Sequence, residues 1–177
     1  MVMKMNNFFN KRHSTNNDTI IHELVELLLK NGWHISFAES CTGGLAAAGI
    51  VGVEGTSEVF NSSFVTYSNE SKIKYLGVNP DTIEKYGVVS EEVAEQMAIG
   101  TAKANNAEIG VGISGIAGPT GGSENKPVGT VCFGFYINGK TLTSTQKFGN
   151  IGRNSVRNAA VDYVYNKLIK ELKDKEN

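Results

Sequence analysis

Residues 37–52, with the sequence FAESCTGGLAAAGIVG, bring an acid, two hydroxyls and a thiol close to two glycines and a run of small apolar residues. Ser40 follows a short β-prone run and precedes a predicted helix, where free N–H groups and the helix dipole favour a developing oxyanion. This position suits a serine nucleophile. The alternative is that Glu39, Ser40 and Thr42 only cap the helix. Cys41 is a rival nucleophile, because a helix N-terminus lowers the pKa of a thiol.

Lysine suits this serine better than histidine as a base. The chain has three histidines, which all precede the reactive cluster: His13, His22 and His34. None lies in a stretch where other reactive groups gather. Lys72 lies one turn into a predicted helix, after a strand that ends near Tyr67, and partial burial would let it lose its proton near neutral pH. The alternative is a solvated surface lysine. Ser57 is either a proton relay or the cap of a short turn.

A second group of residues offers a site for an anion. Residues 125–161 contain five cationic residues and no Asp or Glu: Lys126, Lys140, Lys147, Arg153 and Arg157. The two arginines are one helical turn apart, so both can point at one phosphate, unless they belong to a solvated helix face. The segment 114–122, SGIAGPTGG, is rich in glycine, so its backbone N–H groups can approach a ligand closely.

Composition limits the class of protein. The chain has 177 residues and 40% hydrophobic content, enough for one domain with a sizeable core. A net charge of −1 excludes a broad basic surface for nucleic acid. The two cysteines suit neither a disulfide framework nor a zinc site, and no apolar run approaches the roughly 18 residues of a membrane span. We predict a cytoplasmic protein with a flexible polar tail at 1–16 and a domain at 17–175, binding neither membrane nor nucleic acid.

The periodicity of apolar residues predicts the elements that position these groups. Helices are predicted at 18–30, 91–106 and 152–173, with Ser90 capping the second. Strands are predicted at 33–38, 62–67, 108–114 and on both sides of Asn138–Gly139, which is a strong hairpin signal. The strand at 108–114 is almost continuously apolar and therefore central. We predict a single-domain α/β three-layer sandwich, with a mixed parallel and antiparallel sheet and helices on both faces.

One motif has the spacing of a dinucleotide-binding site, but we reject that interpretation. The segment 110–115, GVGISG, matches the G-x-G-x-x-G spacing of dinucleotide sites. Its glycines lie inside a predicted strand instead of opening a helix, and Pro119 follows. No acid stands about 20 residues on to bind a ribose. These glycines therefore need another explanation.

Six segments together point to one family. They are AESCTGG (38–44), FVTYSNESK (64–72), GVVSEEVAEQMAIGT (87–101), SGIAGPTGG (114–122), KPVGTV (126–131) and GRNSVR (152–157). In type and order they resemble the CinA C-terminal domain family, the nicotinamide mononucleotide deamidases. The resemblance extends over about three quarters of the chain.

The resemblance implies an α/β sandwich, usually dimeric, that converts nicotinamide mononucleotide to nicotinate mononucleotide and ammonia during recycling toward NAD. It implies functional roles for six residues: Ser40, Ser57, Tyr67, Lys72, Ser114 and Arg153. The carboxamide of this substrate is attached to a cationic pyridinium ring and is already electrophilic, so we expect neither a metal nor a cofactor. We expect a small-molecule nucleotide substrate and a homodimer.

The working hypothesis is a serine amidohydrolase. Ser40 attacks the carboxamide, and Lys72 takes its proton directly or through Ser57 or Tyr67. Residues assigned to substrate binding are Glu39, Thr42, Gly43, Gly44, Ser114, Gly115, Ala117, Gly118, Arg153 and Arg157. N–H groups at 42–44 hold the oxyanion, while Ser114, the loop after it and one of the two arginines hold the 5′-phosphate.

Several choices stay open at this point. The nucleophile is Ser40 or Ser57, and the phosphate ligand is Arg153 or Arg157. The alternative functions are a non-catalytic nucleotide- or partner-binding protein linked to competence, and an amidase for another small carboxamide.

Overall fold

A computed structural model describes residues 16–174 of the chain. The helices are α1 (Asn16–Asn31), α2 (Leu45–Val51), α3 (Asn69–Leu76), α4 (Pro80–Tyr86), α5 (Glu91–Asn105) and α6 (Arg153–Lys173). The strands are β1 (Ile35–Glu39), β2 (Phe64–Val65), β3 (Ile109–Gly115), β4 (Thr130–Ile137) and β5 (Lys140–Lys147), and a 3₁₀ turn spans Thr56–Glu58. The predicted tail at 1–16 lies outside the described residues, apart from Asn16. Within the described part, no helix has both the length and the apolarity to cross a membrane.

The strands form one mixed sheet in the order β2-β1-β3-β4-β5. β1 is parallel to both β2 and β3, whereas β4 runs antiparallel to β3 and β5. The predicted central position of β3 is confirmed. The hairpin between β4 and β5 is also confirmed, and Asn138 and Gly139 both have positive φ angles, 46° and 88°. Two such residues form the type I′ turn that matches the twist of paired strands.

Helices cover both faces of the sheet, as predicted. Successive residues of a strand point to opposite faces. Phe37 therefore packs into the core shared with α1, α2 and α6, and Ala38 packs into the cluster formed with α3 and α5. α4 lies against α5 on the second side. This alternation produces three layers, with the carboxyl ends of the parallel strands left uncovered at one edge.

The glycines of the rejected dinucleotide motif let α5 lie directly against the sheet. A Cβ on Gly110 or Gly112 would overlap the backbone carbonyl of Ala98 or Ala94. Gly134 on the neighbouring strand β4 faces Ala94 in the same way. A helix can approach a sheet this closely only where the side chains between them are missing. The motif therefore serves helix packing.

We expect Gly112→Ala to lower the free energy of unfolding by about 3 kcal/mol, because the added methyl group meets backbone atoms that cannot turn aside. Urea unfolding of both proteins measures the difference. Gly77→Ala is the matched control. Gly77 has a φ of 67° but nothing lies within 4 Å of its added Cβ, so this variant tests backbone conformation alone, at about 1 kcal/mol. Equal losses in the two variants would contradict the packing role.

Two predicted boundaries need correction. The strand predicted at 62–67 is only the two-residue edge strand β2, because just two register pairs link it to β1. Helix α4 was not predicted, although Asn79 caps it by accepting a hydrogen bond from the Asp81 N–H at 2.9 Å and Pro80 opens it. The predicted cap of α5 is confirmed, since Ser90 Oγ accepts from the Val93 N–H at 3.3 Å.

Candidate active site

The carboxyl ends of the three parallel strands meet at a cavity of about 460 Å³, here called the strand-end cavity. Ser40 follows β1 directly, Tyr67 lies two residues beyond β2, and Gly115 ends β3. The cavity is lined by seven of the candidate residues: Ser40, Cys41, Tyr67, Gly115, Ala117, Gly118 and Arg153. Ligands of open α/β sheets bind at such an edge. The structure thus brings together groups that are up to 113 residues apart in the chain.

Lys72 reaches Ser40 from behind the wall of this cavity. The side chain comes from α3 and is fully buried, so the alternative of a solvated surface lysine is wrong. Its Nζ donates to Ser40 Oγ at 3.2 Å, to the Thr66 carbonyl at 2.7 Å and to the Tyr67 carbonyl at 3.4 Å. It forms no ion pair with any carboxylate of residues 16–174.

Burial lowers the pKa of the Lys72 ammonium, and the nearby Cys41 acts weakly in the opposite direction. A cation taken out of water without a carboxylate partner loses its proton more easily. The Lys72 amine is thereby suited to accept the proton of a hydroxyl in contact with it.

The Cys41 thiol is a poor nucleophile despite lining the cavity. Burial raises its pKa to about 12, and the nearby Glu39 carboxylate acts in the same direction. The thiol therefore stays protonated at neutral pH, and only the thiolate is reactive. The expected lowering by a helix terminus is wrong here, because desolvation is the larger effect.

Glu39 caps α2 from inside the protein and does not line the cavity. Its buried carboxylate accepts hydrogen bonds from the N–H groups of Gly44, Ala46 and Ala47 at 3.0, 3.1 and 2.9 Å. A carboxylate in this position neutralises the positive end of the helix dipole. Its assignment to substrate binding is replaced by this structural role.

The same network changes the predicted oxyanion donors. The Gly44 N–H is bound by Glu39, and the Gly43 N–H donates to the Ser40 carbonyl at 3.2 Å. Of the three predicted donors, the Thr42 N–H alone has no acceptor within the described part of the chain. The N–H group of Ala117, which lines the strand-end cavity, also has none there. Neither glycine lines the cavity, and the fully buried Thr42 does not line it either.

Ser57 lies at the wrong end of β1 to act as a relay in a single copy of the chain. Its 3₁₀ turn leads into Phe60, which bridges to Ile35 at the start of β1, whereas Ser40 follows the end of that strand. Ser57 lines a separate cavity of about 340 Å³. Within a single chain, the position of Ser57 does not support its assignment as relay or nucleophile. The local sequence held no signal for this, because pairing of residues 59 and 60 with Ile35 determines the direction of the segment.

Ser114 does not line the cavity but hydrogen-bonds to a residue that does. Its buried Oγ donates to the Val88 carbonyl at 2.7 Å, and Val88 lines the cavity. This hydrogen bond joins β3 to the segment before α5. Ser114 is thus a positioning residue in the structure, although it was predicted to contact the phosphate.

The two candidate arginines have different positions. Arg153 lines the cavity, and it donates to the Gly118 carbonyl at 2.8 Å and to the Tyr67 hydroxyl at 3.1 Å. Arg157 donates twice to the Thr42 carbonyl, from Nε at 3.3 Å and from Nη2 at 2.8 Å, and does not line the cavity. The geometry favours Arg153 as the ligand contact, while Arg157 joins α6 to the segment after Ser40.

Eight further residues line the cavity, of which only the loop residues fall in a segment predicted to bind the ligand: Gly87, Val88, Val89, Ile116, Thr120, Gly121, Ser123 and Lys126. Lys126 is the chemically important one. It is half-buried, and its Nζ donates to the Tyr86 carbonyl at 2.7 Å. Its membership of the acid-free basic segment and of the KPVGTV motif was a signal that could have identified it.

Comparisons with known proteins show the family to which the chain is similar. A sequence model of the CinA C-terminal domain matches residues 17–172. The nicotinamide-nucleotide amidohydrolase PncC of Enterobacter agglomerans is 47% identical over 157 residues, covering 86% of this chain and 95% of that protein. The crystal structure of the competence/damage inducible protein CihA from Agrobacterium tumefaciens has a TM-score of 0.87 and 36% identity, covering 92% of this chain and 99% of that one.

Other relatives are longer than this chain. The CinA-like protein of Kosmotoga olearia is 51% identical over 150 residues, which are 82% of this chain but 36% of that protein. The chain spans between 28% and 38% of the length of the curated relatives of this kind.

Proposed function

The chain belongs to the CinA C-terminal domain family, and from this we propose that it is an amidohydrolase that converts nicotinamide mononucleotide to nicotinate mononucleotide and ammonia. The observation that carries the proposal is the 3.2 Å contact between Lys72 Nζ and Ser40 Oγ at the wall of an open cavity. A relative of similar length, PncC, carries the name of this activity.

The hydrogen bonds of Lys72 suit a neutral amine. A neutral amine has two N–H donors and one lone pair. The carbonyls of Thr66 and Tyr67 accept the two N–H groups, so the lone pair is left to face Ser40 Oγ. In this protonation state the Ser40 hydroxyl donates to Nζ and is activated for attack.

The proposed reaction then proceeds through an acyl-enzyme. Ser40 Oγ bonds to the carboxamide carbon while its proton passes to Lys72 Nζ. The C–N bond breaks, Lys72 returns the proton to the leaving nitrogen, and ammonia departs. Water gives a proton to the same amine and attacks the ester carbon, and Ser40 leaves with that proton. The N–H group of Ala117, which lines the cavity, is the candidate donor to the oxyanion.

The surroundings of the pair support a nucleotide substrate. No Asp or Glu of residues 16–174 lines the strand-end cavity, whereas two cationic side chains do. Its volume of about 460 Å³ falls in the range of small-molecule sites. The cationic pyridinium withdraws electrons from the carboxamide. Ser40 as nucleophile and Lys72 as base are therefore sufficient for the proposed chemistry.

The product is a precursor of NAD, and we therefore propose a role in pyridine-nucleotide salvage. The homodimer, the cytoplasmic location and the absence of nucleic-acid or membrane partners stay predictions.

Ammonia release by the purified wild-type chain tests the proposal. We expect stoichiometric ammonia and nicotinate mononucleotide from nicotinamide mononucleotide, measured by a coupled ammonia assay and by mass spectrometry. Nicotinamide riboside and free nicotinamide are the comparison substrates, and we expect slower turnover of both. Tight binding of the mononucleotide without any product would overturn the proposal and favour the non-catalytic binding protein. Faster turnover of an unrelated carboxamide would favour the other amidase.

A further inference from the structure

Two cationic side chains enter the strand-end cavity from different directions. Arg153 comes from the first turn of α6, on the face of the sheet that α1 and α2 share. Lys126 comes from the loop between β3 and β4 and contacts the end of α4, which lies on the α5 side. No other Lys, Arg or His of residues 16–174 lines this cavity. The cavity can therefore distinguish the two ends of a substrate.

Arg153 lies at the reacting end. Its guanidinium bridges the Tyr67 hydroxyl, beyond β2, and the Gly118 carbonyl, beyond β3. β1 lies between these two strands, and Ser40 follows β1. The guanidinium therefore extends across the strand end that carries the nucleophile.

Lys126 lines the strand-end cavity where it adjoins a second one. It also lines a neighbouring cavity of about 390 Å³, whose wall includes Thr130 and Cys132 from β4 and Thr145 from β5. Its position is therefore on the β4 side of the strand-end cavity. β4 is two strand spacings from β1, about 10 Å. A pyridine ring, a ribose and a methylene group separate the carboxamide from the phosphate of the mononucleotide by a comparable length.

Lys126 lies in a hydrogen-bonded turn, and its ammonium group can donate to an anion. The turn that carries it is closed by two hydrogen bonds, from the Lys126 N–H to Ser123 Oγ at 3.1 Å and from the Ser123 N–H to the Lys126 carbonyl at 2.9 Å. One Nζ–H bond is used by the Tyr86 carbonyl, so two remain for a ligand. Glu91 and Glu92 line the neighbouring cavity but not this one, so an anion is favoured only on the strand-end side.

Resting on the proposed function, we propose that Lys126 binds the 5′-phosphate and sets the preference for the nucleotide over the nucleoside. Arg153 then acts at the carboxamide end, where it orients the reacting group together with Tyr67. This assignment replaces the prediction that Arg153 or Arg157 holds the phosphate. Lys126 is a specificity-determining residue in this scheme and takes no part in the chemical steps.

The test is a comparison of nicotinamide mononucleotide with nicotinamide riboside in the Lys126→Met variant. We expect KM for the mononucleotide to rise about 10- to 100-fold with little change in kcat, because a charge-assisted contact to the phosphate is lost. The kcat/KM for the riboside stays at its wild-type value, so the preference for the nucleotide collapses. Lys126→Arg restores most of it. Lys147→Met is the matched control, since it removes the same charge from the neighbouring cavity and leaves both substrates unaffected.

Two outcomes would overturn the assignment. One is an unchanged preference for the mononucleotide in Lys126→Met. The other is an equal loss with both substrates, which would mean that Lys126 acts only by supporting Tyr86.

Binding of ribose 5-phosphate, measured by calorimetry, separates this inference from the proposed function. We expect about 10-fold or greater weakening in Lys126→Met. If the wild type releases no ammonia yet shows this Lys126-dependent binding, the proposed function fails and the anion site stands. If the wild type is active and the binding ignores Lys126, the anion site fails alone.

Discussion

We expect Ser40→Ala to lower kcat for ammonia release from nicotinamide mononucleotide by about 10⁴-fold or more, because the variant has no oxygen to form the acyl-enzyme. The Ser40 side chain is only partly buried, and its hydroxyl contacts Lys72 alone among the described side chains. The melting temperature should therefore change by no more than a few degrees. Steady-state ammonia assays and thermal melting measure the two effects together.

Cys41→Ala is the matched control for this experiment, since the thiol lies next to Ser40 in the chain and lines the same cavity. We expect it to keep at least about a tenth of the wild-type kcat, because a thiol whose pKa is about 12 contributes almost no thiolate at neutral pH. A full loss in Cys41→Ala with turnover retained in Ser40→Ala would assign the nucleophile to the thiol. Mass spectrometry of protein quenched during turnover provides a second check, since the acyl group should be found on Ser40.

The second large effect is expected from Lys72→Met, which replaces the amine by an apolar chain of similar length. We expect kcat to fall by about 10³-fold, within the usual range for the loss of a general base. The base must be neutral, so the wild-type rate rises with pH until the lowered pKa of Lys72 is passed and then levels off. The rising part of this pH–rate profile lies below the ordinary lysine pKa of 10.5. The residual rate of Lys72→Met should not show this rise with pH.

Stability gives an independent measure of the same pKa shift. Between the lowered pKa of folded Lys72 and 10.5, the unfolded chain binds more protons than the folded one, so the free energy of unfolding rises with pH in that interval. Lys72→Met should lose this dependence. Lys74→Met, two residues along the same helix, removes an exposed lysine and should keep both the rise of the rate with pH and the stability change. Identical pH profiles for the wild type and Lys72→Met would end the role of Lys72 as base.

Local signals predicted most of the elements correctly. Ser90 caps α5 because a hydroxyl accepts from a backbone N–H three residues on, and Asn138–Gly139 forms the hairpin because both residues tolerate positive φ. The uninterrupted apolar run at 109–113 correctly predicted the central position of β3. Each of these outcomes depends on a few neighbouring residues, so the amino-acid order is sufficient to predict it.

Side-chain directions could not be predicted in this way. Glu39 and Ser40 are adjacent, yet one caps α2 inside the protein and the other lines the cavity. The resemblance gave Ser57 a functional role beside Ser40, but the bridge between Ile35 and Phe60 puts it at the other end of β1. Pairings between distant residues decide which way each group faces.

The sequence by itself determined the chemistry available to this protein: a hydroxyl after one strand, an amine in the helix that follows another, a glycine-rich loop and a basic segment free of acids. The tertiary structure alone decided which of these groups meet. It buried Lys72 against Ser40, placed Arg153 and not Arg157 in the cavity wall, and brought Lys126 to the same wall. The physical reason is that residue types and their spacing specify local conformation, whereas the packing of helices on both faces of the sheet specifies distances between remote side chains.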